Sequence, residues 1–82
     1  MSNMLVLHKE TCKMIRSVLL PNKDGLFLTD LEAEYRGILG ESIPWKRLGF
    51  FSLYDLVMKI PEAVRVEKFG NGQILLHATP DY

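Results

Sequence analysis

Apolar residues along this chain fall into three stretches with helical spacing, followed by two short runs with strand-like alternation. The first helical stretch runs from about His8 to Leu20. Cys12, Ile15, Val18 and Leu19 share its core side, while Lys9, Lys13 and Arg16 recur on another side. The second is announced by Thr29-Asp30-Leu31-Glu32, which has the form of a capping box, so a helix is predicted from Asp30. Leu31, Tyr35, Ile38 and Leu39 are its expected buried stripe, and Gly40 suits the left-handed position that ends it. The third lies between Pro44 and Pro61. A single helical turn over Trp45 to Leu48, closed by Gly49, feeds a helix in which Leu53, Leu56, Val57 and Ile60 stand at i, i+3, i+4 and i+7. Ser52 is placed as its N-cap and Pro61 as its stop, which leaves Tyr54, Asp55, Met58 and Lys59 facing outward.

Between the first two helices, Pro21-Asn22-Lys23-Asp24-Gly25 is a dense turn signal, and Leu26-Phe27-Leu28 is long enough only for a small strand. After the third helix, Val64 to Phe69 alternates Val64 and Val66 against Arg65 and Glu67. Gly70-Asn71-Gly72 follows, and Gln73 to Ala78 reads as the partner strand, so a β-hairpin is predicted. The order helix, short strand, helix, short helical turn, helix, hairpin is that of an α+β winged helix-turn-helix. Residues 1–7 read as a lead-in, 8–78 as the domain and 79–82 as a frayed tail continuing into a longer protein.

With 82 residues the chain is one domain, and its 48% hydrophobic content suffices for a core without staples. Its one cysteine rules out an internal disulfide and fits a reducing, intracellular setting. No apolar run approaches the roughly 20 residues of a membrane span, and Met1–Leu7 lacks the features of a signal peptide. A soluble, non-secreted protein with no membrane partner is expected. Ten basic and ten acidic residues balance to zero, which counts against a generic grip on nucleic-acid phosphates but leaves room for a local basic patch.

Lys23-Asp24-Gly25-Leu26, Leu31-Glu32-Ala33-Glu34-Tyr35 with Arg36, Pro44-Trp45-Lys46-Arg47-Leu48-Gly49-Phe50, Ser52-Leu53 and Ile60-Pro61-Glu62-Ala63-Val64-Arg65-Val66 occur in an order and spacing that resembles the LOTUS domain, also called OST-HTH. The likeness runs from about His8 to Ala78 and is strongest to the N-terminal LOTUS domain of Tejas-like Tudor-domain germ-granule proteins. The resemblance implies a non-catalytic interaction module of gametogenesis and the PIWI-interacting RNA pathway, in cytoplasmic germ granules (nuage). Members with an extra C-terminal helix dock on the C-terminal RecA-like lobe of a Vasa-type DEAD-box helicase and stimulate it, using the second helix and that extension. Others bind RNA, with a preference for guanine-quadruplex folds. This chain reaches only Tyr82, short of the place where such an extension would lie.

Two surfaces are singled out. Asp30, Ala33, Glu34 and Gly37 form one side of the second helix: the small residues let another backbone approach, and the acids suit a basic helicase lobe. An ordinary solvated face with an acidic start that suits the helix dipole is the plainer reading. Lys9, Lys13 and Arg16, with Lys46 and Arg47, are the candidate RNA contacts, and Trp45, Phe50, Phe51 and Tyr54 the candidate stacking residues, at least two of them expected in the core. The plainer reading pairs that basic ridge with carboxylates such as Glu10. Sequence-specific duplex DNA is disfavoured, because the third helix offers only Lys59, beside Asp55, to read base edges. Nothing places a nucleophile beside a base. One Cys and two His are thin material for a metal, and Gly70-Asn71-Gly72 lacks the context of a phosphate loop, so neither catalysis nor a cofactor is expected. A third reading is self-association through the hairpin's edge.

Overall fold

A computed structural model describes residues 2–80. Helix α1 spans Ser2–Leu19, β1 Leu26–Phe27, α2 Leu28–Leu39, α3 Leu53–Met58, β2 Val64–Lys68 and β3 Ile74–Ala78. The strands form one antiparallel sheet in the order β1-β3-β2. Leu26 lies opposite Leu76 and Phe27 opposite Leu75, while Val64 to Lys68 run against Ala78 to Ile74. This is the expected winged helix. The even-numbered residues Val64, Val66, Ile74, Leu76 and Ala78 turn to the helices, as a period of two requires. Ile15, Leu19, Leu31, Leu56, Ile60 and Leu76 meet in the core with at most 1% of their surface exposed.

Helix α1 begins at Ser2, six residues ahead of the expected start near His8. Met4, Leu5 and Val6 are all exposed, so this first stretch carries no buried stripe by which periodicity could have found it. At the other end Asn22 Nδ2 donates to the Val18 carbonyl at 2.9 Å, and the turn closes with Gly25 N–H on the Asn22 carbonyl. Gly25 has φ +92°, and a Cβ there would lie 2.8 Å from both Leu75 Cγ and His77 Cε1. The turn needs glycine twice over, for conformation and for space.

The expected capping box at Thr29 does not form. Helix α2 follows β1 directly from Leu28, its N-cap Phe27 offers no side-chain cap, and Glu32 Oε2 instead accepts from Ile43 N–H at 3.2 Å, tying the following loop to the helix. A side-chain cap is built instead at α3: Ser52 Oγ accepts from Asp55 N–H at 3.0 Å, while Asp55 Oδ2 accepts at 3.0 Å from the N–H of Phe51, the residue before the cap. Gly40 ends α2 in the left-handed conformation as expected. Ile38 leaves the predicted buried stripe and is 60% exposed. It points roughly 65° away from the mean direction of Leu28, Leu31, Tyr35 and Leu39, in the last turn of the helix.

Helix α3 ends at Met58, short of the expected Ile60. Pro61 lacks the N–H that would bond the Val57 carbonyl and pushes the residue before it out of helical geometry, so the helix unwinds ahead of it. Thr79, expected in a frayed tail, is fastened: its N–H donates to the Ala63 carbonyl at 3.0 Å and its hydroxyl to the Pro61 carbonyl at 2.9 Å. Asp81 and Tyr82 of that tail lie outside the described residues.

Two outcomes follow from these contacts. Gly25→Ala lowers stability by about 2 kcal/mol through positive φ and steric conflict, read as a lowered denaturation midpoint at unchanged slope. The hydrogen bond from Lys59, then that from Phe51 N–H, hold the Asp55 carboxyl below its ordinary value of 3.8. A lowered native pKa gives stability that is complete above the ordinary value and lost as pH falls through the native one. Chemical denaturation of Asp55→Asn at pH 7 and pH 3 therefore shows a smaller loss on acidification than the parent chain.

Candidate functional site

Helix α2 packs chiefly on α1, β1 and β3. Leu31 and Tyr35 fasten it there with at most 3% exposure, and Leu28 and Leu39 flank them half-buried. Burial, then the Glu41 and Glu32 carboxylates, push the Tyr35 hydroxyl pKa up, so this ring is a neutral part of the core. On the side turned away, Asp30, Ala33, Glu34 and Gly37 are all exposed. Ile38 extends that side beside Glu34, adding an apolar residue that the sequence reading had assigned to the core. A Cβ added at Gly37 would meet nothing within 4 Å, so this stripe has free space above it. Beside the helix, a cavity of about 410 Å³ opens between α1 and α2, with Leu7, Glu10, Tyr35, Leu39, Ile43 and Arg47 in its walls.

The five candidate RNA-contacting cations are dispersed. Lys9 and Lys13 stand exposed on α1. Arg16 is half-buried and holds the end of β3: Nε and Nη2 donate to the Thr79 carbonyl at 3.0 and 2.8 Å, and Nη2 reaches the Pro80 carbonyl at 3.4 Å. Arg47 lines the α1–α2 cavity with Glu10 and Met14, which lie about 100–140° around α1 from Lys9, and Lys46 is exposed on the turn before α3. The aromatic residues divide as expected. Trp45 and Phe50 pack on the core, Phe50 with its ring 6.1 Å from that of His8, whereas Phe51 is 89% exposed and Tyr54 is exposed with Lys68 Nζ 5.6 Å from its ring centre. At the end of α3, Lys59 Nζ lies 2.9 Å from Asp55 Oδ1 in a surface ion pair that leaves the lysine largely exposed.

One contact escaped the sequence reading. Cys12 Sγ lies 3.8 Å from His8 Nδ1, an i, i+4 pair whose spacing on a helix was visible in the chain. Burial, then the Glu62 carboxylate, raise the thiol's pKa, the opposite of what an activated nucleophile needs. Among the described residues no three His, Cys, Asp or Glu side chains gather as metal ligands, and no helix is long and apolar enough to cross a membrane.

A family model for the OST-HTH/LOTUS domain matches residues 8–76. The chain belongs to that family. Its LOTUS domain is 43% identical over 67 residues to Tudor domain-containing protein 7B of Danio rerio, covering 82% of this chain and 6% of that protein. It is 44% identical over 69 residues to Tudor domain-containing protein 5 of Canis lupus familiaris, covering 84% and 7%, and 39% identical over 66 residues to Tudor domain-containing protein 7 of Mus musculus, covering 80% and 6%. The chain thus spans only a small part of the length of the curated relatives it matches. The LOTUS domain of Tudor proteins is a non-catalytic interaction domain, so the site to seek is a surface and not a reaction centre.

Arg16 separates structure from binding among the cations. Arg16→Ala costs about 1–2 kcal/mol of stability, because charge-assisted bonds to two carbonyls are lost. Lys9→Glu with Lys13→Glu changes stability by less than about 0.5 kcal/mol, as expected of exposed residues. Urea denaturation of the two variants beside the parent chain checks both.

Proposed function

We propose that this LOTUS domain is the module through which a Tudor-domain germ-granule protein recruits or stimulates a Vasa-type DEAD-box helicase, contacting its C-terminal RecA-like lobe with the outer side of α2. Asp30, Ala33, Glu34, Gly37 and Ile38 are the contact residues. One observation carries this reading. Helix α2 is fastened along one stripe only, and its opposite stripe combines small residues, acids and an exposed isoleucine that the fold itself does not use. Ala33 and Gly37 let a partner's backbone approach closely, Ile38 supplies apolar area, and Asp30 with Glu34 attract a basic surface and set its orientation. The family resemblance adds the identity of the partner and the setting: the PIWI-interacting RNA pathway, gametogenesis and cytoplasmic germ granules.

A second reading, binding of guanine-rich or quadruplex RNA, is favoured by the α3 side. There Phe51 and Tyr54 offer flat faces with Lys68 above one of them, a combination on which bases can stack. Lys9 and Lys13 would add phosphate contacts from α1.

Titration against the helicase C-terminal lobe and a quadruplex RNA in matched salt separates the two readings. It uses this chain and a version lengthened by about 20–30 native residues, enough for the extra helix of the family. Ala33→Glu with Gly37→Arg weakens helicase binding about tenfold or more and spares RNA. Lys9→Glu with Lys13→Glu does the reverse. If neither pair of changes alters either activity, both surface assignments are wrong.

A further inference from the structure

The cavity of about 410 Å³ beside α2 falls in the size range of small-ligand sites, and its walls are mixed in character. Helix α1 presents Leu7, Glu10, Thr11 and Met14 to it, at i, i+3, i+4 and i+7 and hence on one side of the helix. Tyr35 and Leu39, one turn apart, come from α2, and Glu41, Ser42, Ile43 and Arg47 from the segment that follows. Tyr35 and Leu39 lie on the inner side of α2, whereas Asp30, Ala33, Glu34 and Gly37 face solvent, so this cavity is separate from the outer stripe.

Two hydroxyls in the walls are left without partners. Thr11 and Tyr35 are 2% and 3% exposed, yet neither side-chain oxygen makes a hydrogen bond among the described residues. Buried hydroxyls are normally paired, because an enclosed and unmade hydrogen bond costs stability. Among the described residues no fully enclosed side-chain oxygen or nitrogen lacks a partner, so each of these two hydroxyls keeps a small open area. The cavity that both residues line is where that area lies.

Glu10 and Glu41 bring two carboxylates to the same space, neither of them ion-paired among the described residues. The charge of Glu41 reaches the interior: after burial itself, it is the main cause that raises the Tyr35 hydroxyl pKa. Arg47 stands against these two acids, which leaves the walls acidic on balance. Carboxylates only accept hydrogen bonds and hydroxyls accept as well as donate, so the set is rich in acceptors. Met14, Leu39 and Ile43 add apolar surface. Ile43 is held in place beforehand by its N–H bond to Glu32 Oε2, so little ordering remains for a ligand to impose.

We propose that this cavity is a binding site for an arginine side chain of a protein partner. The guanidinium donates to Glu10, Glu41 and the Thr11 and Tyr35 hydroxyls, and the methylene stem lies along Met14, Leu39 and Ile43. Arginine suits the site better than lysine, because its planar head spreads five donors over several acceptors. A nucleic-acid phosphate is disfavoured, since it would meet two carboxylates for one guanidinium.

The test is an NMR titration of the isotope-labelled 82-residue chain with N-acetyl-arginine methylamide. The citrulline counterpart, of the same length but uncharged, is the reference probe. The arginine probe shifts the amides of Thr11, Tyr35, Leu39 and Ile43 saturably, with a Kd of about 1 mM, and the citrulline probe binds about tenfold more weakly or less. Glu10→Gln and Glu41→Gln each weaken arginine binding about threefold, and Arg47→Gln strengthens it by about the same factor. Thr11→Val keeps the shape and removes the hydroxyl, and also weakens binding about threefold. The three charge changes lie at exposed positions, and an amide spectrum unchanged away from the cavity is the folding control for every variant. Equal response to the citrulline probe, no saturable shift by about 20 mM, shifts confined to Asp30 and Glu34, or indifference to both glutamate changes each overturns the proposal. Saturable binding of inorganic phosphate at the same amides would mark a nucleic-acid site instead and overturns it too.

Discussion

A single core must hold every element of this small domain, and each element has only enough apolar residues to bury one side. Ile15 and Leu19 of α1, Leu31 of α2, Leu56 of α3, Ile60 just beyond it and Leu76 of β3 converge there with almost no exposure. Removing any one of them would open a cavity felt by the others, because the described residues share this one core. The functional consequence is one of subtraction. Once the inward stripes are committed, the outer stripe of α2, the outer side of α3, the edge of β2 and the exposed side of α1 are left facing solvent.

Polar contacts at the ends of elements then set how those surfaces are presented. Arg16 links the last turn of α1 to the end of β3 through the Thr79 and Pro80 carbonyls, so the hairpin is anchored at its base. Glu32 ties the loop after α2 to the helix through Ile43, which steadies the outer stripe of α2 against the rest of the domain. Ser52 caps α3, and Asp55 reaches back to Phe51 N–H with one carboxylate oxygen while the other meets Lys59. That surface pair sets a carboxylate beside the one base-reading side chain at the end of the helix that enters the groove in DNA-binding helix-turn-helix proteins.

Much of this was legible in the sequence, because the strongest signals are those of periodic burial and of backbone conformation. Leu56, Val57 and Ile60 lie on the core side as their spacing requires, and Gly40 and Gly49 take the positive φ expected of positions that end helical turns. The hairpin follows from alternation on either side of Gly70-Asn71-Gly72. Readings resting on a single side-chain bond fared less well. Thr29 and Glu32 have the spacing of a capping box, but β1 runs into α2 without a break and leaves no separate start for Thr29 to cap. Ile38 has the right spacing from Leu31, yet in the last turn of α2 it is Leu39 that packs on the core and Ile38 that faces solvent. The basic ridge of α1 looked uniform in sequence, and only the fold shows that Arg16 is committed to β3 while Lys9 and Lys13 face solvent. Such distinctions depend on which distant segment comes to lie beside a side chain, and local spacing does not carry that information.

The most direct test of the account is an NMR titration of the isotope-labelled chain with the C-terminal RecA-like lobe of a Vasa-type helicase, following every backbone amide. The account predicts that the largest shifts fall on Asp30, Ala33, Glu34, Gly37 and Ile38, with β2 and α3 little changed. Shifts concentrated on Phe51, Tyr54 and Lys68, or no shifts at saturating lobe, would contradict the claim that the unused stripe of α2 is the docking surface.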